Sequence, residues 1–235
     1  MTTLLVDPLD LDRGEVPVEG DAYRHLFRAQ RLAVGDELRV VDGAGRARLA
    51  VVERVDRQRG TLRLGEPLPS REPPFRVELL VAPARLERAS WLVEKATEIG
   101  VAAVRFVASE RSARDFADRE LTRLERVARA AVEQCGRARV PELSGTHTFE
   151  ELSRLVAGLP YRLVLQPGGA AGPGSEIADT AILIGPEGGF TPAEEEQARV
   201  LGFASWGLGE RILRIETAAV VASGLLLVGP SPNFP

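Results

Sequence analysis

One cysteine, two histidines, one lysine and one asparagine in 235 residues limit what this chain can be. With Cys135 alone no internal disulfide can form, and a reducing, cytoplasmic setting is expected. With no second cysteine and only His25 and His147, a dedicated metal site is not expected. No stretch approaches the ~20 consecutive apolar residues that cross a bilayer, so no membrane partner is expected. The opening MTTLLVDPLD is acidic, has no basic segment leading into an apolar one, and reads as no signal peptide. The chain also lacks the Gly-Lys-Ser/Thr phosphate loop and the Gly-x-Gly-x-x-Gly dinucleotide fingerprint.

What is present is ordinary in bulk: 44% hydrophobic and 27% charged residues, with a net charge of −4. That balance fits a globular protein and argues against nucleic-acid binding over its whole surface. The cations are unusual, because the lone Lys95 stands against 29 arginines. A GC-rich genome accounts for this, and arginine's planar fork also suits phosphate and base recognition. Composition does not separate the two.

Residues 1 to about 68 read as β-rich. Leu38–Gly43 and Ala47–Val55 alternate around a turn at Asp42–Gly45, Thr61–Leu64 offers another strand, and short strands around glycine turns suggest a small barrel. The closely spaced prolines of 67–74 mark a linker. Beyond it strands are expected at 76–82, 103–107, 161–166, 180–184 and 203–208. Helices are expected at 87–99, 118–135, 148–157, 192–201 and 217–228. This alternation implies an α/β fold built on a parallel sheet, with ligands bound at the carboxyl ends of its strands.

Two glycine-bearing loops lie at such ends. One is Gly185-Pro186-Glu187-Gly188-Gly189-Phe190, and the other is Gly207-Leu208-Gly209-Glu210, leading into Arg211-Ile212-Leu213-Arg214-Ile215-Glu216-Thr217. Glycine lets main chain approach a ligand closely, so the pair suggests one pocket walled mainly by backbone. Thr191-Pro192-Ala193-Glu194 is a capping box that starts a helix directly after the first loop. Arg214 and Glu216 read either as a structural ion pair or as groups that act on a substrate. Arg119, Arg123, Arg126 and Arg137 share a helical face that is either solvated or set against RNA phosphates. Tyr23 to Arg31 mixes basic and aromatic residues. With 13 acidic residues against 12 arginines in residues 1–72, any RNA contact there is local.

Together these pieces resemble the bacterial 16S rRNA uridine-N3 methyltransferases (RsmE-like) of the SPOUT superfamily. The resemblance rests on His25, Arg28 and Arg31 ahead of Val34-Gly35-Asp36, on Leu92 to Val101, and on Glu110-Arg111-Ser112. It continues through Ala131 to Arg137, the GPEGGF loop and Leu208 to Ala218, in family order along nearly the whole chain. It implies a PUA-like RNA-binding β-barrel over 1–70 and a SPOUT methyltransferase domain with a C-terminal trefoil knot over 74–235. It implies S-adenosyl-L-methionine (SAM) as donor, S-adenosyl-L-homocysteine as product, no metal, a homodimer, and 16S rRNA or the small ribosomal subunit as partner. The implied cofactor loops are Leu165, Gln166 and Pro167; Ile184, Gly185, Pro186, Glu187, Gly188 and Gly189; and Leu208, Gly209, Arg211, Ile212 and Leu213. Arg214 and Glu216 are the implied catalytic pair, and Arg28, Arg31, Arg111 and Arg137 the implied RNA contacts. Three other readings stay open: a SPOUT ribose 2′-O-methyltransferase, a non-catalytic ribosome-assembly RNA-binding protein, and a metabolic α/β enzyme.

Overall fold

The structure is a computed structural model and describes residues 1–112, 115–170 and 178–228. The chain forms two compact units, residues 1–72 with 129–140, and 73–128 with 141–235. The span expected for the second domain, 74–235, therefore includes positions outside the described residues.

In the first unit, β1 (Thr3–Leu5), β2 (Glu15–Val18), β3 (Glu37–Val41), β4 (Ala47–Val55) and β5 (Gly60–Pro67) form a curled half-barrel sheet of order β1-β3-β4-β5-β2. β1 runs parallel to β3 and the other pairs are antiparallel. Leu26, Leu38, Val40, Ala50, Val52 and Leu62 lie fully buried at its core. β1 and β2 escape the sequence pattern because one is three residues long and the other carries Pro17. Both are edge strands, and an edge is where proline is tolerated.

The β3–β4 turn is built by Asp42, whose buried carboxylate accepts hydrogen bonds from the Ala44 amide (2.8 Å), the Arg46 amide (2.9 Å) and Arg46 Nε (2.6 Å). Burial alone would raise this carboxyl's pKa. The hydrogen bonds and the Arg46 charge outweigh burial and hold it below the usual value.

Between β2 and β3, α1 (Gly20–Tyr23) runs into a π-type turn over Arg24–Ala29. The Gln30 amide bonds to His25 O at 2.9 Å and the Leu32 amide to Leu26 O at 3.0 Å. That closure places Arg31 in the left-handed region, at φ 58°.

The second unit carries β6 (Val77–Val81), α2 (Leu86–Ile99), β7 (Ala103–Val107), the start of α3 (Asp118–Cys135) and β8 (Glu142–His147). It continues with α4 (Leu152–Leu155), β9 (Tyr161–Ala170), β10 (Thr180–Ile184), α5 (Pro192–Val200), β11 (Ala204–Trp206) and α6 (Ile215–Leu227). All sheet pairs are parallel, in the order β11-β9-β10-β6-β7-β8. β6 and β10 are buried at every position, which is why both are mostly apolar rather than alternating, with Glu78 the one buried charge, held by Arg76 and Arg105. The chain leaves β6 toward β7 on one side and returns to β9, β10 and β11 on the other. The order reverses between β6 and β10, so the topological switch point lies at the carboxyl ends of those two strands.

α2 repeats apolar residues at helical spacing (Ala89, Leu92, Val93, Ala96) and stops at Gly100, whose φ of 112° suits glycine. The helix expected at 148–157 is a 3₁₀ turn (Phe149–Glu151) followed by the single turn of α4.

Candidate active site

A cavity of about 400 Å³ opens at the carboxyl ends of β9, β10 and β11, with Ile215 and Ala218 of α6 along one side. Every residue of the three expected cofactor loops lines it except Gly188, and Arg214 lines it as well. Phe190 of the first loop, with Glu195, Trp206, Ile215 and Ala218, completes the wall. Trp206 and Ala218 were not foreseen because an apolar residue inside an apolar run carries no separate signal, and Glu195 because it reads as one more charge in an acidic helical turn.

Close backbone approach explains the glycines. A Cβ on Gly207 would lie 2.6 Å from Gly169 O, so the ends of β9 and β11 touch main chain to main chain. A Cβ on Gly185 would meet the Phe190 ring at 2.9 Å. That ring packs on Phe149 with centroids 5.5 Å apart. Gly189 and Gly209 adopt φ values of 70° and 96°.

The capping box after the first loop is present, and it also ties down a neighbouring segment. Glu194 is buried; its Oε2 accepts from the Thr191 amide (2.8 Å) and hydroxyl (3.0 Å), while its Oε1 accepts from the Glu110 amide at 2.8 Å. Next along the chain, Arg111 Nη1 donates to Gly188 O (2.9 Å) and Phe190 O (3.4 Å). Arg111 was expected at the RNA; it lies exposed, holding the GPEGGF loop by its carbonyls.

Arg214 is exposed at the rim of the cavity, and among the described residues its side chain has no hydrogen-bond or ion-pair partner. Glu216 is buried in the first turn of α6, a position that favours a carboxylate because free amides point toward it. It does not pair with Arg214. Its Oε1 lies 3.8 Å from Arg88 Nε, and its Oε2 is buried with no partner. Arg88, in the first turn of α2, also bonds Glu187 Oε1 at 2.6 Å. Sequence spacing could not have revealed Arg88, which lies in a different element far along the chain.

In the first unit Arg28 and Arg31 are exposed. Arg28 stands 5.6 Å from the Tyr23 ring centroid and donates to Arg57 O at 3.3 Å. Arg137 departs from the expectation. α3 ends at Cys135, and Gly136 turns the chain at φ 77°, so Arg137 is not on the helical face of Arg119, Arg123 and Arg126. It is 6% exposed, and its Nε and Nη2 both bond Glu72 Oε2, at 3.0 and 2.7 Å. Its charge serves the interior of that unit. Among the described residues, no group of three or more His, Cys, Asp or Glu side chains is placed to hold a metal ion.

A parallel sheet with strand-end loops around such a cavity, in a chain that also forms a half-barrel, matches two known domain families. Residues 71–227 match the RNA methyltransferase domain, and residues 18–65 match the RNA methyltransferase PUA domain. The class is therefore an RNA methyltransferase of the SPOUT type with a PUA-like domain.

Among proteins of known name, the chain is 33% identical over 234 residues to the ribosomal RNA small subunit methyltransferase E of Mycobacterium bovis, covering 91% of this chain and 86% of that one. It is 30% identical to the Synechocystis enzyme of the same name, covering 93% and 75%. The crystal structure of a ribosomal RNA small subunit methyltransferase E from Neisseria gonorrhoeae, bound to S-adenosyl methionine, superposes with a TM-score of 0.86 at 26% identity, covering 97% of both chains. The chain belongs to the ribosomal RNA small subunit methyltransferase E family.

Proposed function

We propose that this protein is a SAM-dependent methyltransferase that modifies N3 of a specific uridine in 16S rRNA. The observation that carries this reading is the single cavity that gathers all three expected loops at the carboxyl ends of β9, β10 and β11. Its residues suit SAM. Leu165, Trp206, Leu208 and Ile215 offer apolar surface for a flat base, and a cavity of about 400 Å³ is within the ordinary range for ligands of cofactor size. The carboxylates of Glu187 and Glu195 stand at the wall of a site meant for a cationic cofactor. When bound, SAM supplies an electrophilic methyl group.

The protein's own task is to make uridine N3 a nucleophile. That nitrogen carries a proton at neutral pH, and it lies on the pairing edge, so the base must be presented unpaired or flipped out. Arg214, exposed at the rim without a partner, is suited to stabilising the negative charge that develops on a uracil oxygen. Of the two roles open to Glu216, proton acceptance is supported over orienting Arg214. One of its oxygens faces Arg88 and the other is free. Arg28 and Arg31 are the proposed RNA contacts of the first unit, and Arg137 leaves that set because it is spent on Glu72.

The same proposal includes the trefoil knot, the domain boundaries at 70 and 74, and a cytoplasmic homodimer. α6 is apolar on nearly every side, yet Leu225 and Val228 stand 54% and 64% exposed, and Trp91 of α2 is 42% exposed. A helix apolar all round is normally covered, and a second copy would cover this one. Leu225→Asp should turn a dimer into a monomer in sedimentation analysis; wild-type protein that sediments as a monomer would remove this part.

Titration with SAM in a calorimeter tests the cofactor half of the reading, and folded protein that takes up no SAM would sink it. For the chemistry, Arg214→Ala should lower turnover far more than SAM affinity. Equal losses would reassign Arg214 to cofactor binding.

A further inference from the structure

The two walls of the cavity meet at one side chain outside both loops. Arg88 Nη1 lies 2.6 Å from Glu187 Oε1, and its Nε lies 3.8 Å from Glu216 Oε1. Glu187 belongs to the GPEGGF loop and lines the cavity. Glu216 directly follows Arg214 and Ile215, which line it from the α6 side. We propose that Arg88 is a positioning residue whose guanidinium fixes the spacing between the GPEGGF loop and the start of α6, and with it the width of the cofactor cavity. This rests on the cofactor reading given above.

Three observations support it. The Arg88–Glu187 pair is too exposed to matter much for folding, with side chains 32% and 67% accessible. The hold it gives on Glu187, which lines the cavity, is then its main consequence. Glu216 is the opposite case: its side chain is 11% accessible, one oxygen has no partner, and Arg88 is the cation set against the other. Lastly, a guanidinium fork can face two carboxylates at once, while an ammonium reaches one well and the other poorly. Arg111 grips the GPEGGF loop from the β7 side through carbonyls; Arg88 links the loop to α6.

The test is SAM titration by calorimetry on the full chain, with wild type, Arg88→Met, Arg88→Lys, Glu187→Gln and the Arg88→Met/Glu187→Gln double variant. Arg88→Met should raise the SAM Kd by about tenfold, the scale expected when contacting residues are uncoupled. The loss should appear more in Kd than in kcat at saturating SAM. Arg88→Lys should recover part of the affinity, and the double variant should be little worse than Arg88→Met alone. Arg88→Lys keeps the stem and the charge, so it keeps the test decisive if Arg88→Met fails to fold, whereas Glu187→Gln also changes the cavity wall and is read only against the double variant.

A merely structural role would lower the melting temperature and leave the folded fraction's Kd unchanged; that result overturns the proposal, as do additive losses in the double variant. Wild-type protein that binds no SAM defeats the cofactor reading and this inference with it. Wild-type binding beside an unchanged Kd for both Arg88 variants defeats this inference alone.

Discussion

Replacing Arg31 by glycine should weaken RNA binding without weakening the fold. Arg31 sits at φ 58°, after a π-type turn closed by bonds from Gln30 to His25 and from Leu32 to Leu26. This is the left-handed position at a helix end where glycine is the usual occupant. A side chain there costs roughly 1–2 kcal/mol relative to ordinary backbone. Glycine removes that strain but loses roughly 0.5–1 kcal/mol through the greater freedom of the unfolded chain. The net is a change between about zero and 1.5 kcal/mol in favour of folding. Arg31→Ala keeps the strain, so its stability should stay within about 0.5 kcal/mol of wild type. Arg31 is exposed and, among the described residues, its side chain makes no bond that either change would break.

Both variants lose the same charge. If Arg31 meets an RNA phosphate, both should bind 16S rRNA fragments more weakly, and the slope of log affinity against log salt should shrink by about one unit or slightly less. The assays are urea denaturation and filter binding across a salt series. Wild-type affinity and salt slope in both variants would refute a contact role for Arg31. Loss of stability in Arg31→Gly would refute the account of its backbone.

Glu72→Ala should be among the most damaging single changes in the first unit. Glu72 accepts from Arg137 twice and from the Ala138 and Arg139 amides at 3.0 and 3.1 Å, and its loss removes all four bonds at once. Hydrogen bonds to a charged group contribute about 1.5–3 kcal/mol each at most, so the loss should be at least about 2 kcal/mol, readable by chemical denaturation. Gly207→Ala should weaken SAM uptake in calorimetry, since its Cβ would lie 2.6 Å from Gly169 O and push β9 and β11 apart next to Trp206 and Leu208, which line the cavity. Asp42 gives a pH signature. Its folded carboxyl titrates below the ordinary 3.8, so its stabilisation is complete above the unfolded value and drains as pH falls through the folded one. The stability gap between wild type and Asp42→Asn should therefore be constant near neutrality and narrow only below about pH 4, as followed by urea melts. A gap that narrows between pH 8 and 6 would contradict this.

Long periodic elements could be read from the sequence because a single pattern decided each one. The limits of β4, β7, β10 and α3 coincide with the expected ones, and the Thr191 capping box is where its four residues placed it. β8 was not legible, because Glu142-Leu-Ser-Gly-Thr-His has no alternation and its register shifts opposite Arg105 and Phe106. The π-type turn was equally hidden, since its bonds depend on a geometry no residue pattern marks.

At the site, glycine loops announced the cavity, but charge partners did not announce themselves. Proximity in sequence suggested Arg214 for Glu216, whereas the fold supplies Arg88 from α2. Arg137 looked like the end of a basic helical stripe until Gly136 ended the helix one residue earlier. Local rules carry information about backbone, while pairings between distant elements are settled only when the sheet assembles.

The central claim is methyl transfer from SAM to uridine N3 in small-subunit rRNA, and isotope-labelled nucleoside analysis tests it most directly. Small subunits from cells lacking the protein are incubated with it and methyl-labelled SAM, and the 16S rRNA is then digested and resolved by mass spectrometry. The account predicts label in 3-methyluridine at one site, abolished by Arg214→Ala. Label on a ribose 2′-oxygen, on another base, or nowhere would contradict it.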